Sequence, residues 1–175
     1  MSKLDTLILD RDGVVNMECE KPFGDTLVEF LPGLLEALVQ FRDAGFRFFI
    51  VTNQSRICHK ICTQEEFDVY MNRCLTRLKE GGISISGWRY CPHCRDSGCG
   101  CRKPDIGMWK SLTEEFDDLV EQHCLMVGDQ DKDIIFGKTI GAQTARMKSA
   151  RFSLSVDADY TVESWKELTD LILND

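Results

Sequence analysis

LDTLILDRDG, residues 4–13, decides the fold. Its short apolar run ends abruptly in charged residues, which is typical of a buried strand in a parallel sheet whose carboxyl end opens into a loop. Asp10 and Asp12 therefore follow a strand tip, where open sheets of this kind bind their ligands. Taken alone, each aspartate is as typical of a turn or a helix cap as of a catalytic group.

Outward from this strand, the chain alternates between helical and strand patterns. Apolar residues at helical spacing over 34–41 predict a helix that Gly45 ends, and residues 46–51 predict a second buried strand. Thr63 and Glu66 predict a capping box before the next helix. The other predicted elements are strands at 83–90, 124–127, 142–146 and 160–162 and helices at 107–116, 131–139 and 164–173. These repeated units predict an α/β fold, a three-layer, doubly wound (Rossmann-like) parallel sheet with helices on both faces.

Length and composition restrict the class of protein. A chain of 175 residues that is 43% hydrophobic and 29% charged is expected to form a single domain over residues 1–175. Its net charge of -8 argues against nucleic-acid or anionic-membrane binding, so an anionic substrate needs a local cation. We expect a cytoplasmic protein, because no signal peptide and no apolar run of ~18 residues is present. The nine cysteines are then expected to be free thiols or metal ligands.

Polar residues follow the later strands in a suggestive order. Thr52-Asn53-Gln54-Ser55 offers hydroxyl, amide and backbone donors that suit phosphate oxygens. Lys103 precedes a predicted helix, and Asp129 follows another strand with Asp133 four residues later. Each signal alone is typical of a turn or a solvated surface. Together they supply what the cleavage of a phosphate ester requires, namely carboxylates, hydrogen-bond donors and a cation.

The sequence resembles the haloacid dehalogenase-like phosphatases over roughly residues 5 to 145. The four motifs of that family match Asp10-Arg11-Asp12-Gly13, Thr52-Asn53, Lys103 and Gly128-Asp129 through Asp133. The resemblance implies that Asp10 is the nucleophile and forms a phospho-aspartate. It also implies that Asp12 protonates the leaving oxygen and later deprotonates the hydrolytic water. Catalytic roles are thus expected for Asp10, Asp12, Thr52 and Lys103, with Lys103 neutralising the phosphoryl oxygens and Thr52 donating to one of them.

The resemblance also implies a magnesium-dependent reaction. Mg²⁺ prefers hard oxygen ligands, so the Asp10 side chain, the Asp12 backbone carbonyl and the Asp129 side chain are expected to hold it. Asp133 is assigned to orienting these ligands.

A cysteine-rich loop spans residues 91–101. Cys91, His93, Cys99 and Cys101 supply three thiolates and one imidazole, which suits a closed tetrahedral zinc site, and Cys94 is left over. Four protein ligands leave no open position, so this zinc is expected to be structural and to pin the loop before Lys103. The alternative is a set of thiols in an ordinary loop.

The zinc loop followed by Arg102-Lys103-Pro104 is similar to the D-glycero-D-manno-heptose 1,7-bisphosphate phosphatases, as are residues 9–16 and 52–55. That family serves the ADP-heptose route to lipopolysaccharide cores or surface glycans. The similarity implies removal of the 7-phosphate of a small sugar bisphosphate, with Arg102 recognising the substrate and the loop after Asn16 enclosing it. Substrate contacts are expected from Asn53, Gln54, Ser55 and Arg102. Residues 56–62 depart from the small, glycine-containing stretch of the family, and 147–160 lacks a glycine-rich loop.

Two other functions remain open at this level. Histidinol-phosphate phosphatases resemble the same family in fold, motifs and zinc loop, so the substrate is not decided. A non-catalytic, zinc-dependent interaction module would have lost the nucleophile or the lysine, whereas Asp10 and Lys103 are both present. With no large helical cap, the chain is expected to act as a monomer.

Overall fold

The computed structural model describes residues 3–18, 27–149, 151–152 and 155–174. Within these residues the chain forms one sheet of six parallel strands in the order β3-β2-β1-β4-β5-β6. The strands are β1 (Thr6–Leu9), β2 (Arg47–Asn53), β3 (Gly87–Cys91), β4 (Cys124–Gly128), β5 (Gln143–Met147) and β6 (Tyr160–Val162). The predicted doubly wound parallel sheet is confirmed.

In the described part of the chain, six α-helices accompany the sheet: α1 (Leu34–Asp43), α2 (Ser55–Cys58), α3 (Gln64–Glu80), α4 (Gly107–Glu115), α5 (Asp131–Ile140) and α6 (Trp165–Leu173). Thr63 and Glu66 form the predicted capping box at the start of α3. Sequence reasoning missed α2 and a 3₁₀ turn at Glu121–His123. None of the helices in the described ranges has the length and apolar character that a membrane span needs.

Successive residues of each central strand face opposite layers, as the pleat of a strand requires. In β1, Leu7 and Leu9 pack into the core formed with α1, α3 and α6, whereas Ile8 packs into the core formed with α4 and α5. The central strands are therefore apolar on both faces, which explains why they read as continuous hydrophobic runs.

The strand predicted at 83–90 begins later than expected, at Gly87. Ile83 is fully buried, but its backbone N–H donates to the carbonyl of Leu78 and so closes the end of α3. The apolar pattern of this stretch reports burial of a helix-to-strand turn and not strand pairing.

Strands β1 and β4 are neighbours at the centre of the sheet, and the order of strands reverses between them. In open parallel sheets a crevice forms at this switch point, beyond the carboxyl ends of the strands. Asp10 directly follows β1 and Asp129 directly follows β4. The topology therefore brings these two carboxylates to the same crevice.

Candidate active site

The centre of the crevice is a buried cation between two buried carboxylates. Lys103 Nζ lies 3.0 Å from Asp10 Oδ1 and 2.8 Å from Asp133 Oδ1, and it donates to the carbonyl of Val51 at 2.7 Å. Burial alone would lower the pKa of Lys103, but the charges of Asp10 and Asp133 outweigh it and raise that pKa. The ammonium is therefore held charged where an anionic ligand would arrive.

Three carboxylates converge at this centre. Oxygens of Asp10, Asp129 and Asp133 lie within 4.8 Å of one another, and the buried Asp129 Oδ1 has no hydrogen-bond partner among the described residues. Burial raises the pKa of Asp129 to about 7, and the charges of Asp10 and Asp133 add to the rise. An unpaired buried carboxylate oxygen among like charges is the kind of donor that a hard divalent cation satisfies.

Gly13 permits this approach of the two loops. Its φ is +84°, and a Cβ built on it would lie 2.4 Å from Asp129 Oδ2. Any larger residue would be strained in this conformation and would collide with the carboxylate. Gly13 therefore sets the distance between the loop after β1 and the loop after β4.

Asp12 is held by donors from three directions. Arg11 binds both of its oxygens, at 3.0 and 2.9 Å from Nη2, while Asn16 Nδ2 donates to Oδ1 at 3.0 Å and Gln54 Nε2 to Oδ2 at 2.8 Å. Burial would raise the pKa of Asp12, but the Arg11 charge and these hydrogen bonds lower it to about 2. The second carboxylate is thus ionised and oriented in the free protein.

Arg11 itself is fully buried, which is unusual for a guanidinium. Its Cζ lies 5.4 Å from the centroid of the Phe67 ring and 5.0 Å from that of Tyr70, both on α3. These aromatic faces compensate in part for the lost hydration of the charge. Helix α3 thereby positions Asp12 through Arg11.

The loop after β2 ties the site together. Asn53 Nδ2 donates to the carbonyl of Lys103, and the Lys103 N–H donates back to Asn53 Oδ1, both at 3.0 Å. Gln54 Nε2 also donates to Thr52 Oγ1 at 2.9 Å. Thr52, Asn53 and Gln54 line a cavity of about 160 Å³ together with Asp10 and Asp12.

A second, basic cavity of about 480 Å³ adjoins the first. The two cavities share Ser55, Arg102, Gln130 and Lys132 as lining residues. Among the described residues that line the second cavity, the lysines and arginines are Arg95, Arg102, Lys103 and Lys132, and the acid is Asp105. A net positive lining in an acidic protein favours a second anionic group close to the first.

The predicted cysteine-rich ligands converge in a compact group. The His93 Nδ1 atom lies 3.3 Å from Cys101 Sγ and 3.6 Å from Cys91 Sγ. Cys99 Sγ lies 3.6 Å from Cys91 Sγ and 3.5 Å from Cys101 Sγ. A tetrahedral zinc ion bound by these atoms would place them roughly 3.5–3.8 Å apart, since zinc bonds measure about 2.3 Å to sulfur and 2.0–2.1 Å to nitrogen. The donor set therefore fits zinc.

Cys58, at the end of α2, forms a disulfide with Cys94. The expectation that the cysteines are free thiols or metal ligands is wrong for this pair. The reason is spatial: the two residues are 36 positions apart, and only the folding of their loops over the same edge of the sheet brings the Cα atoms to 5.5 Å.

Comparisons with known proteins agree with this geometry. The HAD-hydrolase-like family model matches residues 100–168. The D-glycero-beta-D-manno-heptose-1,7-bisphosphate 7-phosphatase of Pseudomonas putida is 32% identical over 171 residues, covering 97% of this chain and 93% of that protein.

The chain belongs to the haloacid dehalogenase-like phosphatases. It is therefore a phosphoric monoester hydrolase. Among solved structures, the D,D-heptose 1,7-bisphosphate phosphatase from B. bronchiseptica, complexed with magnesium and phosphate, superposes with a TM-score of 0.83 at 25% identity, covering 98% of this chain and 99% of that one.

Other relatives of this phosphatase are larger. The histidine biosynthesis bifunctional protein HisB of Legionella pneumophila is 30% identical over 174 residues, but the chain spans 45% of its length.

The structure of the phosphatase gathers the predicted catalytic residues in one crevice and the predicted zinc ligands beside it. Sequence reasoning missed Arg11 and Asn16 as partners of Asp12. Both lie within a few residues of Asp12 in the first motif, which could have suggested the contacts but not the burial of Arg11. The enclosing role predicted for the loop after Asn16 falls largely on residues 19–26, outside the described residues.

Proposed function

We propose that the chain removes the 7-phosphate of D-glycero-D-manno-heptose 1,7-bisphosphate and retains the 1-phosphate, as a step of the ADP-heptose route. The observation that carries this proposal is the pair of adjoining cavities. One is lined by Asp10 and Asp12, with the buried Lys103 in contact with Asp10, and the other has a basic lining. A substrate with two phosphates on a small sugar matches two anion sites at short range. The printed names of the Pseudomonas putida and B. bronchiseptica proteins support the same substrate.

Asp10 is the proposed nucleophile. The Arg11 N–H donates to Asp10 Oδ1 at 2.8 Å, and Lys103 holds the same oxygen. These contacts orient the carboxylate for attack on phosphorus, which forms an acyl phosphate as the bond to the sugar oxygen breaks. Lys103 then stabilises the charge on the phosphoryl oxygens, with Thr52 as a further donor.

Asp12 is the proposed proton carrier. It gives a proton to the departing sugar oxygen and later takes one from the water that attacks the phospho-aspartate. With a pKa of about 2 in the free protein, Asp12 has to gain its proton when the substrate binds. The negative charge of an arriving phosphate favours this uptake, because like charges raise the pKa of a carboxyl.

Magnesium fits the oxygen ligands of this crevice. We assign it to the side chains of Asp10 and Asp129 and the backbone carbonyl of Asp12, an assignment supported by the unpaired buried Asp129 Oδ1. When bound, the ion neutralises phosphoryl charge. Asp133 contacts Lys103 and accepts from the Gln130 N–H at 3.1 Å, so it keeps the surrounding groups in place.

Zinc is proposed for Cys91, His93, Cys99 and Cys101 in a structural role. Arg102 follows directly, and its Nη1 donates to the carbonyl of His93 at 3.3 Å. A metal that fixes this loop therefore also fixes Arg102, the proposed ligand of the retained phosphate. Further substrate contacts are proposed for Asn53, Gln54 and Ser55.

Histidinol phosphate is the second candidate substrate, because HisB proteins match nearly the whole chain. A phosphate-release assay with purified, magnesium-loaded protein separates the two. We expect kcat/KM for heptose 1,7-bisphosphate to exceed that for histidinol phosphate by more than about 100-fold, because histidinol phosphate has no second phosphate for the basic cavity and a hydrogen bond to a charged group contributes about 1.5–3 kcal/mol. Comparable values would contradict the proposed substrate.

The remaining expectations stay predictions: a single domain, a monomer and a cytoplasmic location. An interaction module without catalysis is disfavoured, since Asp10 and Lys103 are both retained and lie in contact.

A further inference from the structure

Two loops border the basic cavity, and one covalent bond joins them. The first loop follows β2 and contains α2, which ends at Cys58. The second follows β3 and carries the proposed zinc ligands together with Cys94. The Cys58–Cys94 disulfide links the two at a point away from the Asn53–Lys103 hydrogen bonds.

The disulfide lies next to residues that line the basic cavity. His59 follows Cys58 and Arg95 follows Cys94, and both line this cavity. Both of these side chains are exposed, so packing alone does not hold them in one place. A cross-link between their neighbours reduces the freedom of both loops at the entrance of the cavity.

The disulfide joins two residues that are only partly buried. Cys58 and Cys94 are both half-buried, and neither belongs to the hydrophobic cores. By contrast, the free cysteines Cys62, Cys74 and Cys124 are buried. Because thiol–disulfide exchange depends on access to a sulfur, this half-buried pair is more open to it than the buried cysteines are.

We propose that Cys58 and Cys94 form a reversible redox clasp that adjusts how tightly the basic cavity binds the retained phosphate of the substrate. The proposal rests on the proposed function for the identity of that phosphate. The closed clasp orders Arg95 and His59, and the open clasp leaves them free.

The chemistry is an exchange of two electrons and two protons. To close the clasp, a low-molecular-weight disulfide accepts both electrons: one cysteine thiolate attacks it to give a mixed disulfide, the other cysteine displaces the second thiol, and two small thiols leave. To open the clasp, one small thiol attacks the Cys58–Cys94 bond to give a mixed disulfide, a second small thiol displaces the remaining cysteine, and the two leave joined as a disulfide while both cysteines are protonated.

The first part of the test counts thiols. The zinc-loaded full chain is incubated with oxidised or reduced glutathione, and the exchange is then quenched. The protein is denatured in the presence of a chelator, and its free thiols are titrated. Oxidation is expected to leave seven of the nine cysteines reactive, and peptide mapping is expected to join Cys58 to Cys94. Nine reactive thiols after oxidation, or a pairing with other cysteines, would overturn the proposal.

The second part measures kinetics in both redox states, with heptose 1,7-bisphosphate and with p-nitrophenyl phosphate, which has no second phosphate. Reduction is expected to raise KM for the bisphosphate about threefold to tenfold, the scale of ordering one long side chain on binding. The kcat values and the KM for p-nitrophenyl phosphate are expected to change less than twofold. Equal bisphosphate KM values in the two states would contradict the clasp.

Variants separate the clasp from general thiol effects. In Cys58→Ser and in Cys94→Ser, KM for the bisphosphate is expected to equal that of the reduced wild type and not to depend on the redox state. Cys62→Ala removes a thiol from the same loop region and is expected to respond as wild type does.

If the bisphosphate is no better a substrate than histidinol phosphate in either state, the proposed function fails. If the preference holds but does not depend on redox state, only the clasp fails.

Discussion

Lys103 and Asp10 lie in contact, with Nζ 3.0 Å from Oδ1, although they come from distant parts of the chain. Both side chains are almost completely buried. A buried pair of opposite charges costs hydration free energy, so it adds little to stability by itself. Its position at the switch point of the sheet points to a role in binding or chemistry.

Asp10→Asn is expected to lower phosphate release by about 10³-fold or more, because an amide is not a nucleophile toward phosphorus. The amide keeps the shape of the carboxylate, so the circular dichroism spectrum is expected to stay unchanged. Asp117→Asn changes an exposed aspartate outside the crevice and serves as the control. Turnover in the Asp10 variant close to wild type would refute the phospho-aspartate.

Arg11→Met is expected to destabilise the protein by about 3–5 kcal/mol, since it leaves the half-buried Asp12 carboxylate without its cation. The chain offers a matched control in Arg42, which also pairs with the aspartate that follows it, but with 43% of its side chain exposed. Arg42→Met is expected to cost at most about 1 kcal/mol. Urea unfolding measures both, and equal losses would contradict a special role for Arg11.

Magnesium is expected to stabilise the protein more at pH 8 than at pH 5.5. Burial raises the pKa of Asp129 from 3.8 to about 7. Between pH 3.8 and pH 7 the metal-free folded state therefore keeps a proton on Asp129 that the unfolded state has lost. Stability from this group is present below about pH 4 and is lost as the pH rises through 7. A bound cation removes the penalty for the ionised form.

Thermal unfolding with Mg²⁺ or with a chelator at both pH values checks this expectation. In Asp129→Asn the difference between the two pH values is expected to shrink. A magnesium-induced rise in Tm that is the same at pH 5.5 and pH 8 would show that Asp129 does not compete between proton and metal.

Cys99→Ser is expected to remove the zinc and to lower the Tm, because the remaining three ligands bind it less tightly. Metal analysis is expected to find one zinc ion per chain in the wild type and in Cys124→Ala, whose thiol lies outside the cluster. A wild-type protein purified without zinc would rule the site out.

Much of the fold could be predicted because β1, β2 and β4 are apolar on both faces and because polar residues lie at or directly after their carboxyl ends. The same pattern located the catalytic candidates, since parallel strands bring their carboxyl ends to one edge. It failed at Ile83, where burial came from a turn.

Two features of the site were beyond local patterns. A charged residue such as Arg11 is normally exposed, and its burial depends on the Asp12 carboxylate together with the aromatic rings of α3. The Cys58–Cys94 pairing depends on how two loops fold over the sheet, which spacing along the chain does not encode.

The most direct test of the central claim follows the hydrolysis of heptose 1,7-bisphosphate by ³¹P nuclear magnetic resonance with magnesium present. The proposed function predicts that the signal of the 7-phosphate disappears as inorganic phosphate grows, while the signal of the 1-phosphate persists, and that Asp10→Asn shows neither change. Loss of the 1-phosphate first, or no hydrolysis by the wild-type protein, would contradict it.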